Sequence, residues 1–337
     1  MSAPRVAVVV PALRSGATLP DALRSVRAQT DAPILVAADP DDRDTRAAVT
    51  RLARELGEVH LVDNPGGSTP AGLNRAVEAA GEVDVVVRVD AHAVLPDGYV
   101  ERAIATLAAT GAGNVGGRQV PRASSGFRAA VAAAMASPAG AGGAAYRTGT
   151  EPGPVDTVYL GVYRREALAA VGGFDERLRR NQDYECNVRL RAAGWTVWFD
   201  PALEVAYTPR GTVASLARQY HDYGRWRRAT LRLHPSSLRA RQLAAPAVVL
   251  ATLVGGILAA AVSARPLLTF LAAYLVGLLL AARQAAAGGP AGTVPTALAL
   301  ATMHLAWGTG FLRGVPRGAL DGPPPRPDAA RQADPER

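Results

Sequence analysis

The chain of 337 residues holds a single cysteine, Cys186. An intramolecular disulfide is therefore excluded, as is a zinc site built on thiolates, and the scarcity fits a reducing compartment. The N-terminus lacks a long apolar run: residues 6–10 are cut short by Pro11, too brief for the core of a secretory signal. No signal peptide is expected, which leaves the N-terminal part in the cytosol. Acids are also in deficit, 29 against 37 basic residues, for a net charge of +8 and a pI near 10.2. That balance suits nucleic acid, a phosphorylated substrate or a membrane surface. The densest basic block stands directly before the apolar C-terminal third, which favours a juxtamembrane role, and no nucleic acid is expected as a partner.

The length suffices for one large or two ordinary domains. Residues 5–10 read as a strand ended by Pro11-Ala12, and 19–29 as a helix with Pro20 in its first turn. A strand at 33–38 ends at Asp39, and helix 45–56, strand 58–62, helix 70–80 and strand 83–89 follow. This alternation predicts an α/β fold with a doubly wound, mostly parallel sheet over about the first hundred residues. Residues 111–116 match the dinucleotide fingerprint literally, but they follow a helix (97–109) and lead into a strand (114–120), the reverse of what that motif requires. Residues 124–145 are Ala/Gly-rich and read as a flexible helix and loop over the site. Strand 156–163, helix 165–171, a helix opened by Asn181-Gln182-Asp183-Tyr184-Glu185 and running to 193, and a short strand 195–199 complete this part.

Arg218, Arg225, Arg227, Arg228, Arg232, Arg239 and Arg241, interleaved with Tyr220, Tyr223 and Trp226, then suggest an amphipathic segment on anionic headgroups; the bland alternative is a solvated helix face. Stretches 244–264 and 266–282 are apolar enough to span a bilayer, and 293–312 is a weaker third. Arginines before the first span place the N-terminal part on the cytoplasmic face of a multi-pass plasma-membrane protein. Arg313 and Arg317 pull the tail to the same side, so one segment would be re-entrant or interfacial. The expected division is 1–215 as a folded α/β domain, 216–243 as the basic interfacial segment, 244–312 as two to three membrane helices and 313–337 as a disordered tail.

The stretch with most chemistry is Val85-Val86-Val87-Arg88-Val89-Asp90-Ala91-His92. A β-branched run buried on both faces ends in an acid and a histidine at its carboxyl end, where open α/β sheets bind ligands. On an extended segment, side chains two residues apart point the same way, so Asp90 and His92 would reach one metal ion. The same residues also fit a helix-capping acid and an ordinary loop histidine.

Several motifs in order now resemble family 2 glycosyltransferases of the GT-A fold, specifically the membrane-associated group with the succinoglycan-type exopolysaccharide glucosyltransferases. Val6 to Ala12 is similar to the family's opening strand, with Pro11 and Ala12 on the donor side. Asp39 resembles the acid that contacts the nucleotide base. Thr69-Pro-Ala-Gly-Leu-Asn74 resembles the segment before the metal strand, and Arg88-Val-Asp90-Ala-His92 the DxD-type motif. Asp156-Thr-Val-Tyr-Leu-Gly161 resembles the acceptor-side strand, Asn181-Gln182-Asp183 the catalytic-base motif, and Gln219 with Arg225-Trp226 a spaced-out Gln-x-x-Arg-Trp. The resemblance covers about residues 5–240. It implies a nucleotide-binding half and an acceptor half, a nucleotide-sugar donor (UDP-glucose by default), and a Mn²⁺ or Mg²⁺ ion on Asp90 and His92. It further implies inverting transfer with Asp183 as base, and a lipid-linked saccharide acceptor on polyprenyl diphosphate. Pro11, Ala12, Asp39, Asn74, Arg88 and Asp90 would serve the donor; Asp156, Gln182, Gln219, Arg225 and Trp226 would serve the acceptor or diphosphate. Ser15 stands where relatives carry Glu, His92 replaces the last Asp and shifts metal preference toward Mn²⁺, and Gln182 replaces an acid. Asp183 also fits a helix N-cap, and Arg225 and Trp226 also fit the membrane-surface helix. Transfer to polyprenyl phosphate itself and a catalytically silent nucleotide-sugar-binding scaffold remain alternative functions.

Overall fold

A computed structural model describes residues 3–287, 289 and 291–325. The expected alternation is present: β1 (Val6–Ala12), α1 (Leu19–Arg27), β2 (Ile34–Ala38), α2 (Arg43–Leu56), β3 (Val59–Asp63), α3 (Thr69–Ala79) and β4 (Val85–Arg88). Every residue of β2 is buried, as an unbroken apolar strand covered on both faces must be. α1 turns Leu19, Ala22, Leu23 and Val26 inward at helical spacing, and α2 is capped by Asp42, which accepts from Thr45 N at 3.2 Å. β1 pairs in parallel with β2 and β4, and β2 with β3. The chain steps outward from β1 to β3 and then returns to lay β4 on the other side of β1, so the strand order reverses between β1 and β4 and a crevice opens at their carboxyl ends.

β1 outruns the expected strand, because Pro11 and Ala12 pair with Ala37 and Ala38. Val8 N donates to Pro33 O on the β2 side, while Val9 O accepts from Val89 N on the β4 side, so Pro11, two residues after Val9, turns its missing N–H toward β4. β4 pairs only as far as Val9, leaving no ladder bond there for the proline to break.

After β4 come α4 (Tyr99–Thr110), β5 (Asn114–Pro121), α5 (Gly126–Met135), α6 (Pro138–Ala141), α7 (Ala145–Thr148), β6 (Gly153–Pro154), β7 (Tyr159–Arg164), α8 (Arg165–Ala170), α9 (Gln182–Ala192) and β8 (Val197–Tyr207). The eight-stranded sheet runs β3-β2-β1-β4-β7-β5-β8-β6. β7 is antiparallel to β4, with Val87 opposite Val162, so β7 starts toward β4's carboxyl end, while Asp156 follows Val155, whose N donates to Val197 O at the start of β8. The Gly111-to-Gly116 match is the end of α4 and the start of β5, as its context required. β8 is longer than the short strand expected at 195–199. Asp200-Pro201 reads as a break, yet Arg102 clamps the Asp200 carboxylate at 2.7 and 3.0 Å and the strand continues, burying Leu203 and Val205.

Two compact units result, and they divide the chain differently from the expected 1–215 domain. The first takes residues up to Gln119 and Gly149–Ala206; the second takes Val120–Thr148 and Tyr207–Leu320. Residues 124–145 are therefore no loose cover: α5 buries Ala129, Ala130, Val131, Ala132, Ala134 and Met135 and packs on the C-terminal helices. These are α10 (Val213–Leu233), α11 (Ala244–Ala261), α12 (Arg265–Ala286) and α13 (Thr293–Arg313). α13 is the hub, touching α5, α10, α11 and α12 and burying Leu300, Met303 and Phe311, so the weak third apolar stretch is the packed centre of this unit. α10 and α13 meet through glycines: a Cβ on Gly224 would strike the Trp307 carbonyl oxygen, and one on Gly310 the His221 carbonyl oxygen. By contrast the helices spanning Ala240–Ala261 and Arg265–Ala286 are long and apolar enough to cross a membrane, with mean hydropathy 2.2 and 1.8, and only 11% of each apolar window is buried. That exposure is unlike the core helix of a soluble domain and supports membrane association.

The basic block is largely tied down inside this unit. Arg227 is buried and donates to Ser237 O, Ser237 Oγ and Gln242 Oε1. Arg225 Nε donates to Gly314 O at 3.0 Å and Arg232 Nη1 to Val315 O at 2.7 Å, so the first residues of the expected tail are fixed against α10. Residues 326–337 of that tail lie outside the described residues.

Candidate active site

β4 delivers Arg88, 5% exposed, to the carboxyl end of the parallel strands. An arginine so placed needs compensating charge, and its fork finds two partners. Nη2 donates to Asp90 Oδ1 at 2.7 Å and Nη1 pairs with Asp183 Oδ2 at 2.7 Å. Burial works against the guanidinium's charge, but Asp183 and Asp90 outweigh it and hold the group protonated above its ordinary range. Arg88 is thus committed to the two carboxylates, a different engagement from the donor contact expected of it.

Asp183 occupies the first turn of α9, after Asn181 at φ 63° and a buried Gln182. Burial pushes its carboxyl above the ordinary aspartate range; Arg88 opposes that shift and Asp90 adds to it. Its Oδ1 is buried with no hydrogen-bond partner. A carboxylate with one oxygen anchored and the other unsatisfied is equipped to accept a proton from a substrate hydroxyl.

Asp90 and His92 do not sit on an extended strand end. Ala93 N donates to Asp90 O at 2.9 Å, closing a turn over residues 90–93, and Thr18 Oγ1 pins it through Ala91 O at 2.9 Å. The period-two argument thus fails, though both residues remain at the mouth of the crevice. The turn leaves the His92 ring exposed and, among the described residues, without a hydrogen bond or ion pair. Arg88 engages only one Asp90 oxygen. Among the described residues no group of three or more His, Cys, Asp or Glu side chains is placed to hold a metal ion. One carboxylate oxygen and one imidazole fit a cation that takes its remaining ligands from water and phosphate oxygens, as Mg²⁺ and Mn²⁺ do.

Asp39 ends β2 half-buried, its Oδ1 accepting from Asp41 N at 2.9 Å, so Pro11, Ala12, Asp39 and Asp90 share the carboxyl side of β1, β2 and β4. Asn74 departs from its expected donor role. Nδ2 donates to Phe174 O (2.8 Å) and Glu176 Oε1 (2.9 Å), and Oδ1 accepts from Phe174 N (2.8 Å), so its amide fastens the loop after α8. The same loop is held by Arg189, which pairs with buried Glu185 at 2.7 Å, donates to Gly173 O at 2.8 Å, and bonds Val171 O. This loop leads into α9 and hence sets where Asp183 starts. Asn74→Ala is expected to cost about 1–3 kcal/mol of stability and to lower turnover more than donor affinity, read from thermal unfolding and a KM-against-kcat comparison. Cys186, inside α9, is inert: burial pushes its thiol up to about 12.

Gln219, Arg225 and Trp226 fall in the helical unit, and the helix separates them. Six residues amount to about 600° of turn, which rotates Arg225 about 120° from Gln219. Gln219 faces Tyr207 and Tyr223, while Arg225 binds the end of α13 and Trp226 is buried. Sequence reasoning missed the Arg88 bridge, although a charge interrupting a four-valine strand was the available signal. It also missed the buried chain Asn114–Asn187–Thr157 that braces α9 against the sheet, with bonds of 2.8 and 3.0 Å.

The model of the family described as Glycosyltransferase like family 2 matches residues 4–229. Succinoglycan biosynthesis protein ExoA of Rhizobium meliloti (strain 1021) is 34% identical over 313 residues, spanning 91% of this chain and 93% of that protein. Among solved structures, the mannosyltransferase PcManGT from Pyrobaculum calidifontis, in complex with GDP-Man and Mn2+, has a TM-score of 0.60 at 19% identity, covering 90% of this chain and 86% of that one. That likeness concerns the GT-A fold. With the family's model over two thirds of its length and a close relative along nearly all of it, the chain belongs to glycosyltransferase family 2, in the group serving exopolysaccharide synthesis.

Proposed function

We propose that this glycosyltransferase moves a sugar from a nucleotide-diphosphate donor, UDP-glucose by default, to a hydroxyl of a polyprenyl-diphosphate-linked saccharide, with inversion. The observation that carries the reading is Asp183, with one oxygen on Arg88 and the other unsatisfied, at the carboxyl end of the parallel strands. Asp183 takes the proton of the acceptor hydroxyl as it attacks the anomeric carbon, and a single displacement of this kind inverts that carbon. Asp39, Pro11 and Ala12 line the nucleoside side of the crevice, and Asp156 the acceptor side. Asp90 and His92 would hold a divalent cation, Mn²⁺ or Mg²⁺, which supplies charge neutralisation for the departing diphosphate. The exposed apolar helices favour an acceptor in the same membrane plane, where shared anchoring raises effective concentration. The arginines ahead of α11 favour a catalytic unit on the cytoplasmic face of the plasma membrane.

The test is transfer from a panel of labelled nucleotide sugars to lipid-linked saccharides in membranes carrying the full chain. Label in the lipid fraction from one donor supports the reading; donor hydrolysis alone, or no turnover with any donor, overturns it. Chelation is expected to remove activity and Mn²⁺ to restore it, with His92→Ala requiring more Mn²⁺ for half-maximal rate. Full activity in chelator removes the role given to Asp90 and His92.

A further inference from the structure

The helical unit contains a second cationic centre that the transfer reaction has not used. Arg147, in α7, lies with its guanidinium 5.2 Å from the ring centroid of Tyr146. Its Nη1 is buried and has no hydrogen-bond partner. No carboxylate pairs with it among the described residues, and the ionisable groups acting on it are the tyrosines Tyr146, Tyr220 and Tyr223. By contrast Arg88, Arg177 and Arg189 are answered by carboxylates, and Arg227 donates to Ser237 and Gln242. Burying a guanidinium without an anion is costly, so this position calls for one from outside the chain.

The surroundings define which anion. Gln219 Nε2 donates to Tyr207 Oη at 2.9 Å and Tyr223 Oη at 3.0 Å, so the Tyr207 hydroxyl acts as acceptor there and keeps its own proton to give. Tyr220 and Tyr223 stand edge to face, centroids 5.6 Å apart, and pack in the apolar cluster that contains Leu216, Leu278 and Met303. One cation, oriented hydroxyl donors and an apolar wall suit a phosphate ester on a hydrocarbon, within the unit whose α11 and α12 expose long apolar faces.

We propose that Arg147, with the Tyr146 hydroxyl and the tyrosines Tyr220 and Tyr223 around it, binds the phosphate of an isoprenoid-phosphate lipid, the anchor of the acceptor; this rests on the lipid-linked acceptor read above. It gives Gln219 a positioning role, holding the tyrosine hydroxyls.

The test uses the full chain in phosphatidylcholine nanodiscs. Arginines are modified with phenylglyoxal and modification of Arg147 is followed by mass spectrometry, with geranylgeranyl diphosphate, geranylgeraniol or inorganic pyrophosphate present. The diphosphate lipid is expected to slow modification of Arg147 at least about fivefold, and the alcohol to leave it unchanged. Equal protection by pyrophosphate overturns the lipid as source, and protection by neither overturns the site. In a second arm, Arg147→Gln is expected to weaken binding of geranylgeranyl diphosphate about tenfold or more, with UDP binding unchanged as the folding control. Unaltered lipid binding overturns the proposal. If Arg147 is protected and Arg147→Gln weakens lipid binding, yet transfer to the lipid-linked saccharide proceeds at the wild-type rate, the anion site stands and the acceptor reading falls.

Discussion

Arg88→Met is expected to abolish transfer and to destabilise the fold by about 3 kcal/mol at neutral pH. Methionine fills much of the arginine's volume in the strand, so the loss is electrostatic. It leaves Asp90 and Asp183 in one crevice with no cation between them, where the Asp90 charge raises the proton affinity of Asp183 unopposed. About a third of the Asp183 side chain reaches solvent, so the figure is set at the low end for breaking a buried pair. The sign of the pH dependence follows. Without Arg88, the folded-state affinity for protons at Asp183 rises further above its unfolded value, so the folded variant is favoured at low pH and loses ground as pH rises through that raised value. Arg88→Met should therefore recover part of its stability between pH 7 and pH 5 in detergent-solubilised thermal unfolding, and the parent protein should recover less. Arg88→Lys should rescue little, because a point ammonium cannot reproduce a fork reaching two carboxylates at 2.7 Å each. A variant as stable and active as the parent would remove Arg88 from the centre of the site.

The parallel half of the sheet was legible because its strands are unbroken apolar runs and its helices carry apolar residues at helical spacing; both patterns are local. What escaped sequence reasoning depended on long-range pairing. Pro11 looks like a strand terminator until β4 is seen to stop short of it. Asp200-Pro201 looks like a turn until Arg102, 98 residues earlier, clamps the aspartate. The alanine-rich 124–145 segment looks featureless because alanines carry little pattern, and only the helices formed 150 residues later give them a face to bury against. In the site, motif order indicated that Pro11, Asp39, Asp90 and Asp183 lie on the carboxyl side of the parallel strands, but it put Gln219, Arg225 and Trp226 there too, and the partners of Asn74 and Arg88, Phe174 and Asp183, lie where no motif joins them. The end of β4 shows the limit most clearly, since alternation placed Asp90 and His92 at the carboxyl end of the sheet and a single bond from Ala93 changed the geometry linking them.

Asp183→Asn is expected to lower turnover by about 10² to 10⁴-fold while leaving donor affinity within about twofold. Asparagine keeps an oxygen to accept from Arg88 Nη1, so the bridge at β4 survives and only the capacity to take a proton is lost. Stability separates this from a structural effect. The Asp183 carboxyl binds its proton more tightly in the folded chain than in the unfolded one, so its ionised form works against folding at neutral pH and that cost disappears as pH falls. Neutral asparagine mimics the protonated state, and the variant should unfold at the same temperature as the parent or higher at pH 7, with the difference shrinking on acidification. Activity runs the other way. The base functions only when ionised, so the parent's kcat should fall on the acid side through a limb lying above the ordinary aspartate value of about 4, and that limb should be missing from the variant's residual rate. A variant with full turnover, or one whose inactivity tracks a lowered unfolding temperature, would assign Asp183 to holding α9 in place and require another base.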